Sequence, residues 1–139
     1  MPISVSWHEK ETNVILYQFS QTWTWSELYR AAKRAMAMPP NGYGMTYSLL
    51  DWTQTEGFPA GPGLMHMSSV MSIQPSHRAL TIMASAHPQV RLMVNMVHKT
   101  YPQRVESFLV AQTLDEAITQ IRNHKCRYEG IRLIQPRTG

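Results

Sequence analysis

The sequence predicts an α/β domain built on a mostly parallel sheet, and two observations carry that prediction. Short apolar runs recur along the chain, at residues 47–50, 80–84 and 107–110. Amphipathic stretches alternate with them, and each of these begins with its own helix-start signal. Strands that alternate with helices are typical of parallel sheets, which bind ligands outside the carboxyl ends of their strands.

The N-terminal segment predicts a β-hairpin. Ile3, Val5 and Trp7 alternate with polar residues, residues 9–13 are polar, and residues 14–19 form a second apolar-rich strand. A helix follows, because Thr24 and Glu27 have the spacing of a capping box. Its apolar face is Trp25, Leu28, Ala32, Ala35 and Met36, and residues 39–42 (Pro-Pro-Asn-Gly) end the helix and turn the chain.

The middle of the chain predicts a strand, a loop, a helix and a second strand. Residues 46–52 read as the strand, with Asp51 at its exit, and residues 53–63 as a loop rich in Gly, Pro and Thr. Residues 62–74 predict a helix with Leu64, Met67 and Met71 along one seam, and residues 75–78 break it. Residues 80–84 are almost entirely apolar, as in a strand covered on both faces.

Two further helices complete the expected fold. His87 and Pro88 start the third helix, which Tyr101-Pro102 closes, and residues 106–110 form the last strand. Thr113 and Glu116 have capping-box spacing and open the fourth helix, with Asn123 as its expected stop. Residues 1–124 are therefore predicted to form a single domain. Residues 125–139 are predicted to be a basic C-terminal extension, either disordered or with an edge strand at residues 128–135.

Composition and charge exclude several classes of function. The chain of 139 residues has a single cysteine and a net charge of +4. The absence of disulfides and of a signal-peptide pattern predicts a cytoplasmic protein, and no apolar run approaches the ~20 residues of a membrane span. Basic residues cluster near the C-terminus, but without the interleaved aromatics of single-strand binders, so no specific nucleic acid is predicted as a partner.

Several short stretches carry a resemblance to a known family. They are Trp23-Thr24-Trp25 before the first helix, Asp51 at a strand end, a Gly/Pro loop at residues 57–61, the apolar strand before the third helix, Tyr101-Pro102, and residues 113–117 (Thr-Leu-Asp-Glu-Ala). Together they resemble the SpoIIAA-like branch of the STAS fold, which is related in shape to CRAL-TRIO lipid-carrier domains. The resemblance covers about residues 3–122. It implies a STAS-like fold and a non-enzymatic role in binding partner proteins, or in some members nucleotides or lipids.

The resemblance also implies a phosphorylation switch that this chain does not carry in its usual form. Anti-anti-sigma members have a phosphorylated serine in an Asp-Ser-Ser-Gly motif, where phosphate abolishes a docked interface. Residues 51–57 here read Asp-Trp-Thr-Gln-Thr-Glu-Gly. Thr53 and Thr55 are the candidate substitutes, and the kinase-partner relationship is not carried over.

The candidate binding residues cluster at the expected carboxyl edge of the sheet. Asp51 could bind a hydroxyl, a cation or a partner lysine, or it could cap its own loop. Thr53, Thr55 and Glu56 follow it, and Ser85 and His87 follow the next strand. Large apolar side chains in the same region could fill the core or line an apolar surface: Trp23, Trp25, Tyr29, Trp52, Phe58, Met65, Met67 and Met71.

Catalytic and metal chemistry find little support. His87 and His98 would lie about 16 Å apart along a helix, too far to share an ion. His124 and Cys126 are only two ligands, and Cys126 lies beyond the predicted last helix. No metal, no cofactor and no catalytic residue is predicted.

Two hypotheses of function remain. The first is a STAS-like regulatory module that binds another protein through the face at residues 51–63. The alternative is a carrier of a small apolar, lipid-like ligand, with methionine and aromatic side chains lining its pocket. A closed apolar cleft would favour the carrier, and a flat patch the protein partner. Homodimerisation through an edge strand or through the apolar patch is compatible with the first hypothesis.

Overall fold

The computed structural model describes residues 2–38, 45–73 and 78–134. The described residues form a five-stranded sheet with four α-helices and a short 3-10 helix at Pro102–Arg104. The strands are β1 (Ile3–Trp7), β2 (Val14–Phe19), β3 (Thr46–Asp51), β4 (Arg78–Ala84) and β5 (Phe108–Ala111). The helices are α1 (Trp25–Ala37), α2 (Gly63–Ile73), α3 (Pro88–Thr100) and α4 (Leu114–Ile134). The predicted fold class, a mostly parallel α/β sheet with an N-terminal hairpin, is confirmed.

The strands lie in the sheet in the order in which they occur in the chain. β1 pairs with β2 antiparallel, and the β2–β3, β3–β4 and β4–β5 pairs are all parallel. Asn13 adopts a left-handed conformation (φ 65°) just before β2, at the turn of the hairpin. Because β2 to β5 are parallel, their carboxyl ends meet at one edge of the sheet.

The two faces of the sheet are covered by different helices. Helices α1, α2 and α3 pack on one face, where they bury β2 residues such as Ile15 and Tyr17. Helix α4 packs on the other face, where Ala117 and Ile121 contact the cluster that contains Leu49 and Ile82. The central strands are therefore buried on both faces, which explains why β3 and β4 are apolar in sequence.

The predicted helix starts are largely confirmed. Thr24 and Glu27 form the complete capping box of α1. The His87 side chain caps α3, and Pro88 occupies its first turn. At α4 the Thr113 hydroxyl accepts the Glu116 N–H at 3.1 Å, while the Glu116 carboxylate accepts the backbone N–H of Gln112. In a standard capping box the glutamate would accept from the N–H of Thr113. Here it accepts from the N–H of Gln112, one residue earlier.

The predicted end of the fourth helix is wrong. Helix α4 continues through Asn123 to Ile134, so residues 128–134 are helical and do not form the predicted edge strand. Asn123 is exposed, and a solvated asparagine costs a helix only a few tenths of a kcal/mol, about 0.7 at most. Gln135 and the predicted turns at residues 39–42 and 75–77 lie outside the described residues, and the division of the chain at residue 124 stays a prediction.

Candidate functional site

The carboxyl ends of the parallel strands form one continuous row. Gln18 is in register with Asp51, Asp51 with Ala84, and Ala84 with Ala111. The loops that follow β2, β3 and β4 are therefore neighbours. We refer to residues 20–24, residues 52–62 and residues 85–89 together as the carboxyl-edge surface.

Asp51 uses its carboxylate within its own loop. Its Oδ1 accepts hydrogen bonds from the Thr53 N–H at 3.1 Å and from the Thr53 hydroxyl at 2.6 Å. Of the two predicted roles, capping of the loop is the one with contacts in the structure. Thr53 remains exposed beside it.

Thr55 and Glu56 tie the 52–62 loop to the loop between β2 and α1. The Thr55 hydroxyl donates to the Ser20 carbonyl at 3.1 Å, and the Glu56 N–H donates to the Gln21 carbonyl at 3.4 Å. The Gln21 side chain in turn donates to the Glu56 carboxylate at 2.5 Å. These three hydrogen bonds join residues 35 positions apart into one surface.

Ser85 and His87 fix the start of α3 beside this loop. The Ser85 hydroxyl oxygen accepts from the His87 N–H at 3.0 Å, and His87 Nδ1 accepts from the Gln89 N–H at 3.1 Å. A Cβ atom at Gly57 would lie 3.1 Å from Gln89 Oε1, so the loop passes close to this helix. Gly57 has a φ of +154°, which L side chains rarely adopt. The structure thus brings the polar candidates of both strand exits together, with Ser85 buried beneath the surface that the others form.

A cluster of aromatic rings lies beneath the 52–62 loop. Trp23 stacks on Trp52 with ring centroids 5.7 Å apart, and Phe58 stacks on Trp25 at 6.0 Å. The Trp25 indole N–H also donates to the Ala60 carbonyl at 3.1 Å. All three tryptophans are buried, while Phe58 is half-buried. The rings therefore act as core and support the loop from below.

Met67 and Met71 do not reach the surface. They are 1% and 4% exposed, and they belong to the core on the α1–α3 face. A cleft lined by Gln21, Trp23, Phe58 and their neighbours has a volume of only about 220 Å³, and neither methionine lines it. Of the predicted contact residues, these two methionines and Ser85, which is 5% exposed, are buried and cannot touch a partner in this conformation.

One cluster that the sequence reasoning missed joins α4 to the β1–β2 turn. The Glu11 carboxylate forms ion pairs with Arg122 and Lys125, although its side chain is only 12% exposed. Burial raises the pKa of Glu11, but the hydrogen bond and charge of Arg122, together with Lys125, outweigh it and hold that pKa below its ordinary value. These partners lie 111 and 114 positions away, and no sequence pattern reports such a pair.

The same region contains a histidine with an altered pKa. His124 Nδ1 lies 2.9 Å from the Tyr47 hydroxyl, and burial, followed by the charge of Arg127, lowers the pKa of His124. A groove of about 730 Å³ runs between the hairpin and α4, with Leu16 and Gln18 from β2 and Ile118 from α4 among its lining residues. Its lining is rich in charged and polar side chains, unlike the pocket of an apolar-ligand carrier.

Within residues 2–38, 45–73 and 78–134, no group of three or more His, Cys, Asp or Glu side chains could hold a metal ion. In the same part of the chain, no helix has the length and apolar character needed to cross a membrane.

Of three comparisons with known proteins, the one with solved structures finds matches. No protein-family model matches the sequence, and a comparison with curated proteins finds no match. Among solved structures, an anti-sigma factor antagonist from Mycobacterium paratuberculosis matches with a TM-score of 0.56 and 17% sequence identity. The match covers 86% of this chain and 92% of that one. This chain has a STAS-like fold. The resemblance predicted from the sequence is confirmed at the level of the fold. A sequence identity of 17% supports the fold alone.

The correspondence between residues 51–57 and the switch motif of the family stays a prediction from the sequence. Here Thr53 is exposed and bonded to Asp51, and Thr55 is half-buried and bonded to Ser20. Of the two substitutes, Thr53 is the more exposed residue.

Proposed function

We propose that this STAS-like chain is a non-enzymatic regulatory module that binds a partner protein through its carboxyl-edge surface. The matched structure is of an anti-sigma factor antagonist, a protein named for its action on another protein. The fold similarity makes a protein partner the natural class to test. The geometry of this chain supplies the reason for choosing this surface.

The observation that carries the proposal is the set of three hydrogen bonds between the 52–62 loop and residues 20–21. Two loops that are tied together and supported by packed aromatic rings lose little conformational entropy when a partner docks. Half-buried Phe58 lies among exposed polar residues, which is the arrangement of an interface with a central anchor and a polar rim.

The apolar-ligand hypothesis has no comparable support. That hypothesis needs a pocket lined by methionine and aromatic side chains. Met67, Met71, Trp23 and Trp52 are instead buried within the core. An apolar carrier needs a cleft of several hundred Å³ with apolar walls. The cleft beside these rings is about 220 Å³ and open.

The test compares partner capture by two matched variants. Gln54 is exposed on the carboxyl-edge surface. Gln103 is exposed in the short 3-10 helix that precedes β5, so it lies at the amino ends of the parallel strands. We expect Gln54→Arg to weaken retention of a partner at least 10-fold, and Gln103→Arg to leave it unchanged. Gln54 lies four residues from the Phe58 anchor, so Gln54→Arg would force a docked partner to accommodate a bulky charge beside it. A cost above about 1.4 kcal/mol corresponds to a tenfold change.

Capture from cells of the source organism would be quantified for the wild type and both variants by mass spectrometry. A protein retained equally by all three chains contradicts the proposed surface. Native mass spectrometry of the gently purified chain provides the second readout. A co-purifying small molecule that organic solvent releases would contradict the protein-binding role and favour the carrier.

A further inference from the structure

The strand β1 lies at one edge of the sheet, and its hydrogen-bond register shows which backbone groups face outward. The Ser20 N–H donates to the Pro2 carbonyl at 2.7 Å, and the His8 N–H donates to the Val14 carbonyl at 2.8 Å. In an antiparallel pair the hydrogen-bonded positions alternate. Ser4 and Ser6 therefore bond to β2, while the N–H and C=O groups of Ile3, Val5 and Trp7 point away from the sheet.

The outward row is only partly occupied. The Ile3 carbonyl accepts a hydrogen bond from the Arg34 guanidinium at 2.9 Å. For Val5 and Trp7, the described part of the chain offers no backbone or side-chain hydrogen bond on this side. A backbone carbonyl has two lone pairs, so Ile3 can accept a second bond beside Arg34.

Among the described residues, the protection of β1 as an edge strand is limited to the contact of Arg34 with the Ile3 carbonyl. Natural edges are blunted by charged side chains, by proline within the strand, by bulges or by very short strands. β1 has five residues, Ile-Ser-Val-Ser-Trp, with no charge and no proline, and its pairing with β2 has no register shift. Such an edge is a template for another strand.

The side chains of β1 are arranged symmetrically about Val5. Ile3, Val5 and Trp7 share the face that packs towards α1, while Ser4 and Ser6 are exposed on the opposite face. If a second β1 pairs antiparallel with Val5 opposite Val5, then Ile3 meets Trp7 and Ser4 meets Ser6. Apolar side chains then face apolar ones, and serines face serines, on both sides of the axis.

We propose that two copies of this chain pair through β1 about a twofold axis at Val5, so that their sheets join into one of ten strands. Val5 of each copy donates its N–H to, and accepts from, Val5 of the other, and the Ile3 N–H bonds to the Trp7 carbonyl of the second copy. The interface is isologous and closed, so it gives a dimer and no longer assembly. The inference does not rest on the proposed function.

The first test is sedimentation of the full chain over a range of concentrations, with Val5→Pro as the variant. The wild type is expected to reach twice the 16.0 kDa mass of one chain. Proline at position 5 removes an N–H that points outward, so it blocks pairing while the bonds of Ser4 and Ser6 to β2 remain. We expect its dimer dissociation constant to rise at least 100-fold with an unchanged circular dichroism spectrum.

A second test identifies the register without depending on the folding of the proline variant. In a Cys126→Ser background, one chain carries Ser4→Cys and another carries Ser6→Cys. Ser4 and Ser6 of the two copies would form a non-hydrogen-bonded pair with Cα atoms about 4.5 Å apart, within the range of a disulfide. Oxidation of the mixture should therefore join position 4 of one chain to position 6 of the other, and neither chain alone should crosslink efficiently.

The outcomes separate the proposal from its alternatives. A chain that stays monomeric up to about 0.1 mM, where even a pairing of micromolar affinity would be complete, overturns it. A dimer that forms no disulfide between positions 4 and 6 also overturns it, because the copies then meet elsewhere. A concentration-dependent dimer with that disulfide supports the twofold pairing at Val5.

Discussion

Replacing Trp52 tests whether the buried indole N–H groups of the aromatic cluster carry a cost. Trp52 is 1% exposed, and its ring meets Phe19 at 5.2 Å, Trp23 at 5.7 Å and Phe58 at 5.1 Å. Its Nε1 is buried without a hydrogen-bond acceptor among the described residues. Trp52→Ala should lower the free energy of unfolding by about 3–5 kcal/mol, because it removes all three ring contacts and leaves a cavity.

Trp52→Phe should behave very differently. It leaves a cavity of roughly 40 Å³, worth about 1 kcal/mol, but it also removes a buried N–H whose desolvation costs about 1–3 kcal/mol. We therefore expect its stability to lie within about 1 kcal/mol of the wild type, or above it. The two terms nearly cancel. Trp52→Ala removes the same unpaired N–H, but that gain is small beside the loss of the whole ring and the larger cavity.

Trp25→Phe is the matched control, because the Trp25 indole N–H donates to the Ala60 carbonyl. This variant loses a made hydrogen bond together with the same ring volume, so we expect a cost of about 2 kcal/mol. Urea denaturation followed by circular dichroism measures all three variants, and the urea dependence should be unchanged. A Trp52→Phe variant as unstable as Trp52→Ala would refute the reasoning about the unpaired N–H.

Two further predictions concern charge and capping. The pKa of Glu11 lies below its ordinary value of 4.5, so its ion pairs stabilise the fold above that pH and are lost as the pH falls through the lowered pKa. Urea titrations should show wild type losing stability more steeply than Glu11→Gln below about pH 5, and parallel curves would contradict this. Thr24→Ala removes the capping box of α1 and should lower the free energy of unfolding by about 1 kcal/mol, measured by thermal denaturation. Thr24→Ser keeps the hydroxyl and is the control. Equal losses of stability in both variants would argue against the cap.

Much of the fold could be predicted because its signals are local. The alternation of Ile3, Val5 and Trp7 identifies β1, and the Thr24–Glu27 spacing marks the start of α1. The polar candidates could also be predicted, since parallel topology alone brings Asp51 and Ser85 to one edge. These inferences need only neighbours in sequence and the geometry of a sheet.

The rest depends on contacts between distant residues. The bonds of Thr55 to Ser20 and of Glu56 to Gln21 join two loops, and a pattern within either loop does not reveal them. The burial of Met67 follows from the packing of α2 between its neighbours, and helical spacing alone suits a core and a surface stripe equally well. Helix α4 passes Asn123 because a weak local stop signal does not overcome the propagation of an established helix.

The sequential strand order has a consequence for folding during synthesis. Each strand docks beside the one made just before it, so no strand has to wait for a later one and the sheet can grow as the chain emerges from the ribosome. The face that carries Leu49 and Ile82 is different, because its cover, α4, is synthesised after all five strands. Until then this apolar face is open to solvent. The nascent chain is therefore most prone to aggregation between completion of β5 and docking of α4, and the pairing of Arg122 with Glu11 marks the end of that interval.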